Sequence, residues 1–179
     1  PDNPAETQIR EMMNFLTGQE IGEDYVEFLE AELSLNGEDP YAQPEIFELP
    51  AAQRAAFKVL VIGAGMSGLL AGIRLKEAGI PFEIVEKNSD VGGTWLENTY
   101  PGCRVDSANH VYSYSFRPQD WPQHFSAQEV LRRYFSGCAD QYGLREHIWF
   151  DTELTTARFD EGSGTWTAEV RGPDGSRTL

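Results

Sequence analysis

The chain has 179 residues, 40% of them apolar and 12% aromatic, enough for one ordinary domain with an appendage and too rich in core residues for a disordered chain. Its formal net charge of −15, from 29 acidic and 14 basic residues, comes without a basic patch and argues against nucleic acid as a partner. Two cysteines, Cys103 and Cys138, make no disulfide framework and suggest a reducing cytoplasm. The longest apolar stretch, Val59 to Ile73, holds four glycines and runs into Arg74, so neither a signal peptide nor a membrane span is expected.

The charge divides the chain. Residues 1–56 carry 13 acidic and 2 basic residues, whereas residues 57–179 carry 16 and 12. The break coincides with a loop-like run from Gly37-Glu-Asp-Pro40 through Pro44 to Pro50. Two units joined by a proline-punctuated linker are therefore expected, a helical extension over 1–50 and a larger domain over 57–179. In the first unit Ile9, Met12, Met13 and Leu16 fall at helical spacing, and Gly18 supplies a stop. A second helix is predicted from about Glu23 to Leu35, with Tyr25, Phe28, Leu29 and Leu33 on one face and Asn36-Gly37 ending it. Two such helices cannot build a core alone. Packing on the second unit and a subunit interface, which would make a homo-oligomer, both stay open.

The second unit begins as strand, helix, strand. Lys58–Ile62 suits a central parallel strand buried on both faces. A helix from about Met66 to Ala78 follows, with Leu69, Leu70, Ile73 and Leu75 for burial, Gly79 as a left-handed cap and Pro81 blocking continuation. Phe82–Val85 is the next strand. Between strand and helix lies Gly63-Ala-Gly65-Met-Ser-Gly68. Glycines at this spacing let the backbone bend tightly and approach a pyrophosphate, onto which the helix start directs its N–H groups and the positive end of its dipole. The pattern therefore predicts a dinucleotide site formed by Gly63, Gly65, Met66, Ser67 and Gly68.

Glu86 ends the second strand, 18 residues beyond Gly68. A carboxylate there can accept hydrogen bonds from an adenosine ribose and would repel a 2′-phosphate, which favours FAD or NAD over NADP. Lys87 joins the candidate set, with plain surface charge as its alternative. Gly92-Gly93-Thr94-Trp95 then separates FAD from NAD. A second glycine pair brings another piece of backbone to the cofactor, Trp95 could wall the flavin side, and Thr94 could donate to an oxygen of the phosphate or flavin. An ordinary glycine loop with a core tryptophan is the plainer alternative.

Four runs together carry a family resemblance: Gly63-Ala-Gly65-Met-Ser-Gly68, Val91-Gly-Gly-Thr-Trp95, Tyr100-Pro-Gly-Cys-Arg-Val-Asp106 and Tyr112-Ser-Tyr-Ser-Phe116. Over about residues 57–179 the chain resembles the FAD-binding start of a class B flavoprotein monooxygenase of the Baeyer–Villiger family. Its acidic helical extension is most similar to that of the 4-hydroxyacetophenone monooxygenase branch. The resemblance implies an α/β fold, a three-layer Rossmann-like FAD/NAD(P)-binding domain present in part, preceded by the short α-helical extension. It also implies that NADPH reduces bound FAD and that the reduced flavin takes up O2. The resulting flavin peroxide would convert a ketone to an ester or lactone. Carried over residue by residue, Gly63, Gly65 and Gly68 would cradle the pyrophosphate and Glu86 the ribose. Gly93, Thr94, Trp95, Leu96 and Glu97 would follow the flavin-side phosphate and ring. Tyr112 would line the flavin pocket, and Leu154 would reach adenine through its backbone. Asp106 matches the family's active-site aspartate, with Arg104 and Val105 close to the nicotinamide cofactor.

Plainer uses compete for these residues. Asp106 after a Pro-Gly bend could cap a turn. Arg104 could be surface charge. Tyr112 and Tyr114 alternate with Ser113 and Ser115 as in a half-buried strand. Cys103 suits a small buried position. His110, His124 and His147 lack ligand spacing, and no metal site is expected.

The remainder reads as scaffold. Ser126-Ala-Gln-Glu129 looks like a capping box opening a helix to about Tyr142, followed by Gly143. His147–Phe150 is a further strand, and Glu153–Phe159 with Thr165–Arg171 form a hairpin around Asp160-Glu-Gly-Ser-Gly164. Gly172-Pro-Asp-Gly175 is another turn, close to the last residue. The family's long fingerprint, its second glycine motif for NADPH and the arginine that partners Asp106 are not found in the sequence. The 179 residues alone are therefore expected not to oxidise ketones. A heteroatom-oxidising flavin monooxygenase and a non-catalytic FAD-binding or assembly module are the alternatives.

Overall fold

A computed structural model of the chain describes residues 4–33 and 48–179. The expected helix end at Asn36-Gly37, most of the proline-punctuated linker, and the side chains of Leu29 and Leu33 lie outside what is described. The chain divides into two compact units. One groups the described part of Pro1–Pro44 with Ser113–Gln119, and the other comprises Glu45–Tyr112 with Asp120–Leu179.

In the first unit, α1 (Glu6–Thr17) ends where Gly18 takes φ 66° and its N–H bonds to the Asn14 carbonyl, the stop expected of a glycine. The turn into α2 (Glu23–Leu33) is tied by side chains of α1. Arg10 Nε donates to the Ile21 carbonyl at 2.9 Å, and Ile21 N–H donates to Asn14 Oδ1 at 2.7 Å. The apolar face of α1 is only partly used: Ile9 is buried, whereas Met12, Leu16 and Phe15 are exposed, Phe15 to 88%. Among the described side chains of α2, Val26 is buried, while Tyr25 and Phe28 lie open.

The second unit opens with a single-turn-plus helix, α3 (Ala51–Ala56). β1 (Val59–Ile62), α4 (Met66–Ala78) and β2 (Phe82–Val85) then form the expected βαβ unit. β1 and β2 pair in parallel from Val59–Phe82 to Ile62–Val85. β3 (Ile148–Trp149) adds on the other side of β2, giving the order β1-β2-β3. Among the described residues β2, rather than β1, is therefore the middle strand, and Ile62 at the end of β1 is 53% exposed. α4 lies very close to β2. A Cβ on Gly72 would stand 3.1 Å from Ile84 Cδ1 and 3.2 Å from Phe82 Cε2, so the helix approaches the sheet through a position with no side chain. Gly79 ends α4 with φ 67°. α6 (Gln128–Gln141) buries Leu131, Tyr134, Phe135, Cys138 and Ala139, a clean helical stripe.

Two local expectations are overturned here. Ser126 opens no capping box: the N-cap is Ala127, no side chain caps the helix, and the Ser126 hydroxyl donates to the Gln123 carbonyl. The cause is an isolated antiparallel bridge, Arg104 to Ala127, which spends the Ser126 carbonyl on Val105 N–H and pulls the chain into an extended path before the helix. Tyr112 and Tyr114 lie on no strand, because residues 107–118 run through turns and bends. Val111 N–H and Tyr112 N–H both bond to the Ala108 carbonyl, so the backbone groups are satisfied locally and offer no ladder.

The chain closes with an antiparallel sheet of β4 (Glu153–Asp160), β5 (Thr165–Gly172) and β6 (Gly175–Thr178). The β4–β5 turn is held by Asp160, whose Oδ1 accepts from Gly162 N–H and Ser163 N–H. These two N–H groups hold the exposed Asp160 carboxyl below its usual range. The Gly172–Gly175 turn does more than expected: it returns the chain as β6, with Gly175 at φ 104°. Only Ala168 and Val170 of this sheet are buried.

Candidate functional site

The end of β1 turns through Gly63, whose φ of 89° excludes most side chains and whose outer side is open: a Cβ there would meet nothing within 4 Å. Gly65 is the N-cap of α4 and no side chain caps this helix, so the helix start faces outward with its dipole uncompensated. Met66, Ser67 and Gly68 form the first turn of α4. Gly68 has to be glycine, because a Cβ would lie 1.8 Å from the Gly63 carbonyl oxygen. These are the properties a backbone cradle for a pyrophosphate needs: a tight bend, an open outer face and inward N–H groups.

Glu86 closes this turn from below. It is only 3% exposed, with Oε2 accepting from Ala64 N–H at 2.6 Å and Oε1 from Asn88 N–H at 2.8 Å. Two of the carboxylate's four acceptor sites are thereby used, and two stay available to a diol. The other backbone group of Ala64 is also held, since its carbonyl accepts from Gly92 N–H at 3.1 Å. One residue of the first glycine turn, Ala64, thus links Glu86 to the second glycine loop.

The two loops also touch directly. A Cβ on Gly93 would stand 3.0 Å from Gly65 Cα, and one on Gly65 would stand 3.5 Å from Gly93 Cα. Gly92 and Gly93 have φ of 131° and 51° and lead into α5 (Thr94–Glu97), a single turn. Trp95 is buried, its indole Nε1 donating to Tyr112 Oη at 3.3 Å with the rings edge-on at 5.9 Å. The Gln128 side chain donates to the Trp95 carbonyl from the start of α6.

Beside this loop lies a cleft of about 540 Å³. Thr94, Trp95, Arg104, Val105, Asp106 and Tyr112 all line it, joined by Asn98, Tyr100 and Cys103. The fold thus brings six of the candidate residues to one cavity. Arg104 reaches back to the Phe125 carbonyl at 3.2 Å, and exposed Asp106 accepts a long bond from Ser107 Oγ, at 3.4 Å. The Cys103 thiol beside Tyr100 pushes the phenol above its usual range.

Four further candidates, Lys87, Leu96, Glu97 and Leu154, stand apart from the cleft. Lys87 and Glu97 pair with each other at 2.8 Å, and Asn88 Nδ2 also donates to Glu97. The hydrogen bond to Glu97 raises the Lys87 ammonium, and the same bond lowers the Glu97 carboxyl. Leu96 is half-buried. Leu154 lies on β4, just past Thr152, whose N–H bonds to the Glu86 carbonyl, so its backbone is near the Glu86 end rather than the cleft. Asp90, Gln128 and Arg145 were not legible as site residues. Asp90 directly precedes the Val91-Gly-Gly run, which is the one local cue.

Residues 61–128 match the family described as NAD(P)-binding Rossmann-like domain. The Baeyer-Villiger monooxygenase of Streptomyces coelicolor is 46% identical over 118 residues, 64% of this chain and 23% of that protein. The uncharacterized monooxygenase y4iD of Sinorhizobium fredii is 42% identical over 127 residues, 71% of this chain and 19% of that protein. This chain therefore spans about a fifth of the length of the curated relatives it matches. Among solved structures, an oxidized steroid monooxygenase bound to NADP superposes with a TM-score of 0.62 at 36% identity, covering 66% of this chain and 24% of that one. OTEMO in complex with FAD and NADP gives 0.62 at 32% identity, covering 70% and 24%. No helix among the described residues is long and apolar enough to cross a membrane. The chain is a homologue of the Baeyer–Villiger and FAD-binding monooxygenases and shares their Rossmann-like NAD(P)-binding fold.

Proposed function

We propose that this chain is the FAD-binding part of an NADPH- and O2-dependent Baeyer–Villiger monooxygenase that converts ketones to esters or lactones. One observation carries the reading: two glycine loops meet backbone to backbone at Gly65 and Gly93, beside a cleft lined by Trp95, Asp106 and Tyr112. A phosphate cradle alone would suit any dinucleotide; a second side-chain-free loop leading to an aromatic-walled cleft suits one with a large ring at its far end. The relatives named Baeyer-Villiger monooxygenase support the same reaction class.

In this reading Gly63, Gly65, Met66, Ser67 and Gly68 hold the pyrophosphate through backbone N–H groups, and Glu86 takes the ribose with its two remaining acceptor sites. Gly93, Thr94 and Trp95 take the flavin side, with Leu96, Glu97 and Lys87 around the loop, and Leu154 lies toward adenine. The flavin, once bound, supplies the redox and oxygen chemistry. Asp106 orients polar groups at the ring from the cleft wall, Tyr112 and Trp95 exclude water, and Arg104 and Val105 face the nicotinamide cofactor. Residues 57–179 act as the FAD-binding domain and residues 1–50 as a helical extension. The buried free cysteines Cys103 and Cys138 fit a cytoplasmic setting.

The test is cofactor choice followed by turnover. The protein carrying this chain should show a flavin absorbance band and bind FAD in preference to NAD. It should also oxidise NADPH in a ketone-dependent way with ester formation. Preference for NAD, or NADPH oxidation that no ketone stimulates, would overturn the reading.

A further inference from the structure

Asp90 stands immediately before the second glycine loop and is held from three directions. Its Oδ1 accepts from Val91 N–H at 2.8 Å and from Arg145 Nη1 at 2.8 Å, and its Oδ2 lies 3.6 Å from Arg132 Nη1. Arg145 sits in the 3-10 turn before β3 and is itself clamped by α6. Its Nη2 donates to Ser136 Oγ at 2.8 Å and its Nε to Asp140 Oδ1 at 2.5 Å. α6 is a firm base for this clamp, since Leu131, Phe135 and Cys138 on its inner face are fully buried. The stem of Arg132 passes 3.7 Å from where a Gly92 Cβ would be, so the same helix also backs the loop directly. The loop needs such support. Gly92 and Gly93 both have positive φ, a conformation that glycine permits without enforcing.

We propose that Arg145 is a positioning residue for the flavin-side glycine loop, acting through Asp90 to keep Gly92 and Gly93 seated on the phosphate-binding turn. The proposal rests on the reading of that loop as part of an FAD site. The planar guanidinium suits the task, because one fork holds α6 while the other arm reaches Asp90, 55 residues away in sequence. Burial alone would push the Asp90 carboxyl up, but the hydrogen bond from Arg145, the Val91 N–H and the Arg132 charge together hold it below the usual carboxylate range. The clamp is therefore an ion pair at neutral pH. By contrast, the Arg171–Glu153 pair on the hairpin has a similar length, 2.9 Å, and contacts the loop nowhere in the hydrogen bonds of the described residues.

The experiment measures FAD dissociation constants and melting temperatures side by side, in the protein carrying this chain and its variants. Arg145→Met and Asp90→Asn should each weaken FAD binding about tenfold, the order set by one charge-assisted hydrogen bond. Arg145→Lys, which keeps a point charge but loses the fork, should recover part of that loss. Glu153→Gln and Arg171→Met should stay within about twofold, as expected of an exposed ion pair outside the clamp. If Arg145→Met does not fold, Asp90→Asn and Arg145→Lys make the same comparison. Wild-type affinity in folded Asp90→Asn and Arg145 variants overturns this proposal alone. So does an FAD loss that follows melting temperature equally in Ala168→Gly, a buried position on the hairpin outside the clamp, since that is what a merely structural role gives. A wild-type protein that binds no FAD overturns the site reading and this proposal together.

Discussion

The parallel sheet β1–β3 and the antiparallel sheet β4–β6 each have three strands, and they stand in opposite relations to solvent. In β2, three of four residues are buried, whereas β4 has none buried and most of its residues exposed. The first sheet is held by side-chain packing against α4, so its strand ends are fixed points from which glycine turns can project. The second is held by its ladder and turns, with Asp160 and Gly175 setting the reversals. Rigid placement of a site follows the first kind of construction, and the first glycine turn and Glu86 accordingly stand at the ends of β1 and β2.

Four substitutions sharpen or break that contrast. Ile84→Ala, in the fully buried middle strand, should cost about 3–4 kcal/mol in chemical denaturation. A cost below that of an exposed substitution would remove the packing argument. Gly68→Ala should cost about 2–3 kcal/mol, because its Cβ would have to displace the Gly63 carbonyl, and should also abolish FAD retention on gel filtration. Glu86→Gln should cost about 2 kcal/mol, since an amide NH2 would face one of the two N–H groups now held by carboxylate oxygens. Its FAD affinity, measured by fluorescence titration, should fall as well. Trp166→Ala, in a 66% exposed position on β5 beside Phe159, should cost under about 1 kcal/mol and leave FAD affinity unchanged.

Features read from short-range pattern survived the comparison with the structure. The strand read over Lys58–Ile62, the strand-turn-helix around Gly63 to Gly68 and the Gly79 cap each depend on neighbours within one or two turns. The failures depended on distant partners. Ser126 has the residues of a capping box, but a bridge from Arg104 claims its backbone. Tyr112 and Tyr114 have strand-like alternation, yet the Ala108 carbonyl draws the chain into a turn. β6 is a short polar run, Gly-Ser-Arg-Thr, with no apolar alternation to announce it, and it pairs because the Gly172–Gly175 reversal delivers it to β5. At the site, the glycines and Glu86 were legible because their chemistry is local. The Asp90–Arg145 pair was not, because nothing in either neighbourhood names the other.

The contact between Gly65 and Gly93 has a consequence for how such proteins diverge and can be recombined. The two positions are 28 apart in sequence, yet the room for a side chain at Gly93 is set by the backbone of Gly65, 3.0 Å from where its Cβ would stand. A crossover placed in the α4–β2 segment therefore joins two half-sites that were shaped against different counterparts. Chimeras cut there should lose cofactor far more often than chimeras cut in the β4–β5 turn. The heritable unit of this site is the whole stretch from β1 through α5, carried as one block.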